Sequence, residues 1–588
     1  MKNYYIFILM IILNPLKAQY CPPGSKTEVL KSGNLNLSFT NANINWSNNA
    51  DDESFLTLSD GSQLKFLFNE SVWFSGMAVD DSIYVSANTF STATEGYDFK
   101  PGPLDDNGDI NYCINWDRFF RVESRDIIKA EQLYIYGELS KESLPENILY
   151  WPARGNPHFF EKYGFELENR DYASFWDENS DGIYNPLDGD IPMLSDTFQS
   201  RPLAFDKFPS YLVFNIFNDV GNGSHLLTRG KPMHLEISRY IYTYDIDCGK
   251  NIYFVKYKVS NKSEKAYFNF KASIWQHPTF DRGKDFAINK ALGTDASNNS
   301  TFSHPTDLQV PGENGLNVHP VLVTRVLDGL NTPKKKIEID DTVYYETVTN
   351  PNELSDIETY VDDGLMGSMY MLNCNLGNYN PATCDPAGTD LPFYYMINNH
   401  WQDGVPLSSG GYGYNPSTAE STNFVFYDNP SNPNGWSTCT LDFDIRDFGL
   451  LTTVGPNILF PGSHDEFTYA VTVDLSTSDD CPDIEKINQN IADCIENINL
   501  NYSNIEERNI IDVKHNTFGN ELVIENGEVP LDLYVYNLQG QLCFRNNLSV
   551  LENYRQNLDE LQLVDGMYVV RLVNVNMRKS MEYKFVKY

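Results

Sequence analysis

The residues whose types and spacing point most directly to chemistry lie in one oxygen-rich loop. Phe175-Trp176 leads into Asp177-Glu178-Asn179-Ser180-Asp181-Gly182-Ile183-Tyr184-Asn185-Pro186-Leu187-Asp188-Gly189-Asp190. Counted from Asp177, oxygen side chains fall at loop positions 1, 3 and 5, a glycine at 6 and an aspartate at 12. Alternate oxygens on a tight loop point inward. A hard cation such as calcium takes about 6–8 oxygens at about 2.3–2.6 Å. Gly182 permits the turn that would bring the Ile183 carbonyl to the ion. Asn185 would ligate directly or through water, and Asp188 would close the shell with a shorter arm than the usual Glu. The expected metal ligands are therefore Asp177, Asn179, Asp181, Ile183, Asn185 and Asp188, holding calcium in a structural role. The competing explanation is an Asx-rich turn with no ion, because Asp, Asn and Gly favour turns on their own.

This spacing resembles dockerin and EF-hand-like loops, D-x-N-x-D-G-x-x-N-x-x-D. The resemblance ends with the loop, since Pro186 interrupts any following helix. An extracellular site of this kind holds calcium at roughly 10⁻⁴–10⁻³ M, which suits a clamp. Two other acidic groups are weaker. Asp105-Asp106-Asn107-Gly108-Asp109 has Ile110 where glycine is wanted, and Asp281, Asp285 and Asp295 are interrupted by Arg282 and Lys284.

Catalytic signatures do not emerge. None of the nine His residues sits in H-E-x-x-H, and no G-x-S-x-G, Walker A or G-x-G-x-x-G run occurs. His277 reads as a satisfied residue at a strand end. A glycosidase would need two carboxylates at a set separation in space, and no pair can be nominated from the sequence. The tryptophans read mainly as core or loop anchors. The loop from Gln402 to Tyr414, with Trp401, Tyr412 and Tyr414 among glycines, is the expected exposed aromatic patch.

The elements that must position these residues follow from composition and period. The chain has 588 residues, 41% apolar and 14% aromatic, enough for sizeable cores and unlike a disordered chain. Its net charge of −37 excludes a phosphate-backbone binder, so no nucleic-acid partner is expected. Met1-Lys2-Asn3, the ten apolar residues Tyr4 to Leu13 and Ala18 before Gln19 describe a secretory signal peptide over residues 1–18. Ten residues rise about 15 Å as a helix, half of a hydrocarbon core of about 30 Å. No later run of 18 apolar residues exists, so no transmembrane segment is expected. Secretion permits disulfides. Of nine cysteines, Cys374 and Cys384 bracket a short Gly/Asn/Pro loop and form the expected local pair; the other pairings stay open, with Cys543 set apart in a separate domain.

Period-2 patterns dominate residues 19–475, as in His234 to Tyr244, Ile252 to Val259, Ala266 to Trp275 and Phe467 to Val473. One helix is expected at Arg125 to Leu133. The fold class is mainly β: a large antiparallel sandwich-type core with long loops, one domain or two subdomains divided near 195–230. Ile484, Ile487, Ile491, Ile495 and Ile498 then form a helical stripe within a helix-and-linker segment, 476–513. Residues 514–588 carry 8 basic and 9 acidic residues, so the acidity belongs to the core. Short strands at 521–524, 531–536, 542–544, 567–573 and 583–586 predict a small Ig-like sandwich there.

That last segment resembles the type A C-terminal sorting domain of Bacteroidota type IX secretion cargo (the Por secretion system). The matching residues are Leu533-Tyr534-Val535-Tyr536-Asn537-Leu538-Gln539-Gly540-Gln541, Asn557-Leu558 with Leu561, Asp565-Gly566-Met567-Tyr568-Val569-Val570-Arg571-Leu572, and Lys579 to Tyr588. His515-Asn516-Thr517 stands where the family usually opens with a Pro-Asn-Pro-like turn. The resemblance implies the type IX machinery as partner, export through the periplasm to the outer surface or beyond, and removal of this domain. The core is similar to a broad group of large secreted Bacteroidota proteins. The landmarks include Val72-Trp73-Phe74-Ser75-Gly76, Trp116-Asp117-Arg118-Phe119-Phe120 and Trp401-Gln402-Asp403-Gly404. This implies architecture and location, not catalysis. The expected function is a secreted or cell-surface, calcium-stabilised, non-catalytic protein for adhesion or extracellular binding of a glycan or another surface ligand. The alternatives are an extracellular hydrolase acting on polysaccharide and a structural matrix component.

Overall fold

The computed structural model describes residues 21–498, interrupted at 22–23, 43–54, 59–63, 90–96, 105–109, 195–207, 221–224, 283–284, 287–288, 312–316, 340–341, 418–419 and 442–444. Beyond them it describes strands between 512 and 587 and residue 561. The expected signal peptide at 1–18, the Asp105–Asp109 cluster and most of the expected linker lie outside the described residues.

Long β-branched and aromatic runs pair into two nine-stranded antiparallel sheets. The first follows the path Thr27–Ser32, Leu35–Thr40, Leu56–Leu58, Leu64–Met77, Tyr267–Arg282, Phe448–Leu459, Leu365–Leu372. The second runs Lys290–Asp295, Ser300–Pro305, Val321–Asp328, His464–Asp474, Ile252–Asn261, Leu235–Thr243, Tyr211–Asn218, Lys100–Pro101. In the first sheet strands from both sides of 195–230 pair directly, and in the second the strand Tyr211–Asn218 inside that span pairs with strands on both sides of it. Leu64–Met77 lies beside Tyr267–Arg282, and Phe120–Glu123 beside Tyr211–Asn218.

The inner faces form one sandwich core, with Phe66, Phe74, Phe270 and Ile274 from the first sheet and Val213, Ile237, Val255 and Tyr469 from the second. The outer faces are covered too. Phe214, Tyr242 and Phe254 lie in a core with Ile127 of the helix Ser124–Tyr136 and Ile487, Ile491 and Ile495 of the helix Ile484–Asn497. Trp73, Trp275 and Met371 of the first sheet pack with Phe393 and Met396 of the helix Asp390–Ile397 and with Trp401, Phe426 and Trp436 from the long loops.

Double-sided cover changes what the alternation means. Leu235–Thr243 is buried along its whole length, although its sequence alternates apolar and polar. The polar members are satisfied inside: Glu236 accepts from the Leu104 backbone N–H and from Arg170, each at 2.9 Å. Between the sheets, Glu70 accepts from Tyr253 (2.8 Å), Tyr469 (2.9 Å) and Gln276 (2.8 Å), so one carboxylate ties the two layers together. Arg239 donates to Asn215 at 2.9 Å and to the Thr40 carbonyl at 2.8 Å in the same core.

The C-terminal strands form two further antiparallel sheets. One contains Asp512–Asn516, Glu521–Glu525 and Asn553–Asn557; the other contains Leu542–Leu548, Leu531–Asn537, Gly566–Asn574 and Ser580–Lys587. No helix among the described residues is long and apolar enough to cross a membrane.

Candidate functional site

The loop 177–190 is closed at its base by a short strand pair, Phe175 opposite Pro192 and Trp176 opposite Ile191. Its first half folds on its own side chains. Asp177 accepts from the backbone N–H of Asp181 (3.2 Å) and Gly182 (2.7 Å), Asn179 from that of Asp181 (3.0 Å), and Asp181 from that of Ile183 (2.8 Å). These are Asx turns, local hydrogen bonds that fold the first half of the loop on itself. Gly182 takes the left-handed conformation expected for it (φ +80°). Tyr184 pins the loop by donating to the Ile148 carbonyl at 2.6 Å.

The second half departs from the expected shell. Pro186 starts a 3-10 turn, Pro186–Asp188, capped by Asn185. The turn leaves Asp188 exposed, accepting from the Asn185 side-chain amide at 2.7 Å. Asn185 Oδ1 takes the Leu187 N–H at 3.3 Å and lies 3.3 Å from His158 Nε2. The chain then reverses at Gly189 (φ +103°), where a Cβ would meet the Tyr134 ring at 2.6 Å. This reversal buries the next residue, Asp190, which accepts from the backbone N–H of Glu178 (2.7 Å) and Asn185 (2.8 Å). Burial lifts the Asp190 carboxyl to about 7 against those two donors, and Asp177 and Asp181 push it the same way. The carboxylate that turns back onto the first half, beside Asp177 and Asp181, is thus Asp190, while Asp188 bonds locally. The proline explains the difference: without a helix after the loop, position 12 is not carried inward.

The donor set is chemically suited to a hard cation, being carboxylate, amide and main-chain oxygen. Asp177, Asn179, Asp181, the Ile183 carbonyl and Asp190 are the groups of this loop that would hold it, and the ion would supply positive charge to a loop rich in carboxylates. Among the described residues no three His, Cys, Asp or Glu side chains already converge as a metal-holding group. Asp295, of the weaker third cluster, instead caps the turn Ala296–Asn298 and accepts from Asn488 at 2.9 Å.

His277 lies 2.6 Å from Asp447 through Nε2, within the strand Tyr267–Arg282 and not at its end as expected. A second histidine carries more charge chemistry and had no motif around it. His225 is buried with Nδ1 2.8 Å from the Val85 carbonyl and Nε2 2.8 Å from the Asp219 carbonyl. Both partners only accept, so both nitrogens carry protons. Asp98 and Asp219 stand 3.6 Å from the ring on either side. Burial alone would lower the His225 pKa; the two aspartates outweigh it and raise the value to about 9. Asp98 also takes the Thr228 hydroxyl at 2.8 Å, and Asp219 the Ser86 hydroxyl and the Met233 N–H, each at 2.7 Å. This closed cluster is structural cement.

Trp73, Trp116, Trp151, Trp275 and Trp401 are buried, the last donating to the Gly413 carbonyl at 2.8 Å. The 402–414 loop exposes Tyr412 (49%) but not Trp401. Tyr427 (41% exposed), unmarked by any motif, joins that patch, with its hydroxyl 3.0 Å from Ser409. Cys374–Cys384 form the expected disulfide, and Cys21–Cys113, Cys248–Cys494 and Cys439–Cys481 complete four pairs; Cys543 is in none of the four. No protein-family model matches the chain, and none of the curated proteins matches it.

Proposed function

We propose that the protein is exported by the type IX route and acts at the outer cell surface or beyond as a calcium-stabilised, non-catalytic binding protein. Support for export is the pairing of eight cysteines across the core, an economy of thiols that belongs to an oxidising compartment. The residues that carry the resemblance to a sorting domain lie on antiparallel strands, Leu533 to Tyr536 on Leu531–Asn537 and Met567 to Leu572 on Gly566–Asn574. Support for calcium is the oxygen-rich spacing of Asp177, Asn179 and Asp181 on one tight loop that also carries the buried Asp190.

The test is intact mass and location in the native host, with and without the type IX machinery. The expected product begins near Gln19, lacks roughly the last 75 residues and is found outside the cell. A full-length protein retained in the periplasm would remove the sorting role.

A further inference from the structure

The first sheet's outer loops, the turn after Lys290–Asp295 and the start of the helix Ile484–Asn497 enclose a cleft of about 780 Å³. That is within the range of small-molecule sites, about 300–1,000 Å³. Its lining is a mixture of hydroxyls (Ser297, Ser409, Thr422), carboxylates (Asp295, Asp428, Glu485), amides and the rings of Phe424 and Tyr427. None of the residues lining it is Lys or Arg.

The walls are braced before any ligand arrives. Asp428 accepts from the Trp436 backbone N–H at 2.6 Å, and the Trp436 ring donates to the Gly411 carbonyl at 2.8 Å. Asn429 donates to Asp483 at 2.8 Å and so joins the loop to the N-cap of the terminal helix. The Cys439–Cys481 disulfide closes the same wall covalently, and Cys248–Cys494 fixes the helix to the second sheet. Phe426 holds a left-handed backbone (φ +45°), a costly conformation for a bulky residue. It buries its own ring and leaves the next side chain, Tyr427, turned to solvent. A preformed cleft of this kind loses little freedom on binding.

We infer that this cleft binds a neutral oligosaccharide, with Tyr427 as the stacking platform. Sugar rings offer apolar C–H faces to an aromatic ring and vicinal hydroxyls to carboxylates, amides and hydroxyls, and the cleft provides all four partners. An anionic glycan is disfavoured by an acidic lining with no cation. The inference rests on the proposed role of the core as a binding module.

The full chain is titrated calorimetrically with neutral hexasaccharides of the cello, xylo, manno, laminari and chito series, and with polygalacturonate as an anionic arm. Saturable binding of a neutral series is expected, weakened about tenfold or more by Tyr427→Ala, the scale of losing an aromatic anchor. Ser297→Trp, which fills the cleft from an exposed position, should abolish binding with Tm unchanged; Tyr412→Ala, outside the lining, should leave it intact. Neutral binding that survives both cleft variants overturns the site while sparing the binding role. Preference for polygalacturonate, or no neutral binding at all, overturns the ligand class. Release of reducing ends replaces the binder with the hydrolase. Failure of export would show in the location experiment and leave this titration unaffected.

Discussion

His225 donates from both ring nitrogens to carbonyls and stands between two buried aspartates, so the folded protein holds it as an imidazolium. Its folded pKa of about 9 lies above the unfolded value near 6.5. The stabilisation is therefore fully present below about pH 6.5 and is lost as pH rises through about 9, on the order of 3 kcal/mol for this one buried group. Tm measured across that window should fall, and His225→Gln should start lower and flatten the dependence. Glu70 makes a second prediction. Glu70→Ala would strand the hydroxyls of Tyr253 and Tyr469 and the Gln276 amide in the core, costing about 3 kcal/mol or more, with Glu70→Gln milder; thermal unfolding reads both. Neither residue was legible in the sequence. Val85 and Asp98 lie more than 100 residues from His225 in sequence and only Asp219 is local, and nothing in the local pattern distinguishes a buried His or Glu from a solvated one.

At the scale of the element, periodicity carried well where packing is one-sided. The Ile484, Ile487, Ile491 and Ile495 stripe is the buried face of the helix Ile484–Asn497, and the helix expected at 125–133 spans Ser124–Tyr136. The first half of the calcium-type loop also follows its spacing, because Asx turns are local. The second half was not legible, because one proline redirects the chain and puts Asp190 where Asp188 was expected. The two arrangements are separable. If calcium binds, EDTA should lower Tm, the stabilisation being about 1.4 kcal/mol at a calcium level about ten times Kd. Asp181→Ala and Asp190→Asn should abolish that response, whereas Asp188→Asn should keep most of it. An unchanged Tm in EDTA would leave the loop as a bare turn.

For the whole molecule, the mainly β sandwich could be read from alternating strands, but its layering could not. The cover over the first sheet's outer face comes from long loops and the short helix Asp390–Ile397, whose sequences have no repeating period. Alternation by itself implies one wet face, and a central strand such as Leu235–Thr243 has none. The cleft was invisible for the same reason: its walls come from segments near 295, 409–432 and 485, joined only by folding.

The terminal helix has a consequence for maturation. Cys494 is bonded to Cys248, and Cys481 just ahead of the helix to Cys439. A cut anywhere between this helix and the C-terminal sheets would leave an end that cannot peel away from the body. Carboxypeptidase treatment of the matured protein should converge on one mass near Ile498 and run past Cys494 only after reduction. The double staple therefore acts as a ratchet stop, turning imprecise removal of the C-terminal sheets into a single durable product.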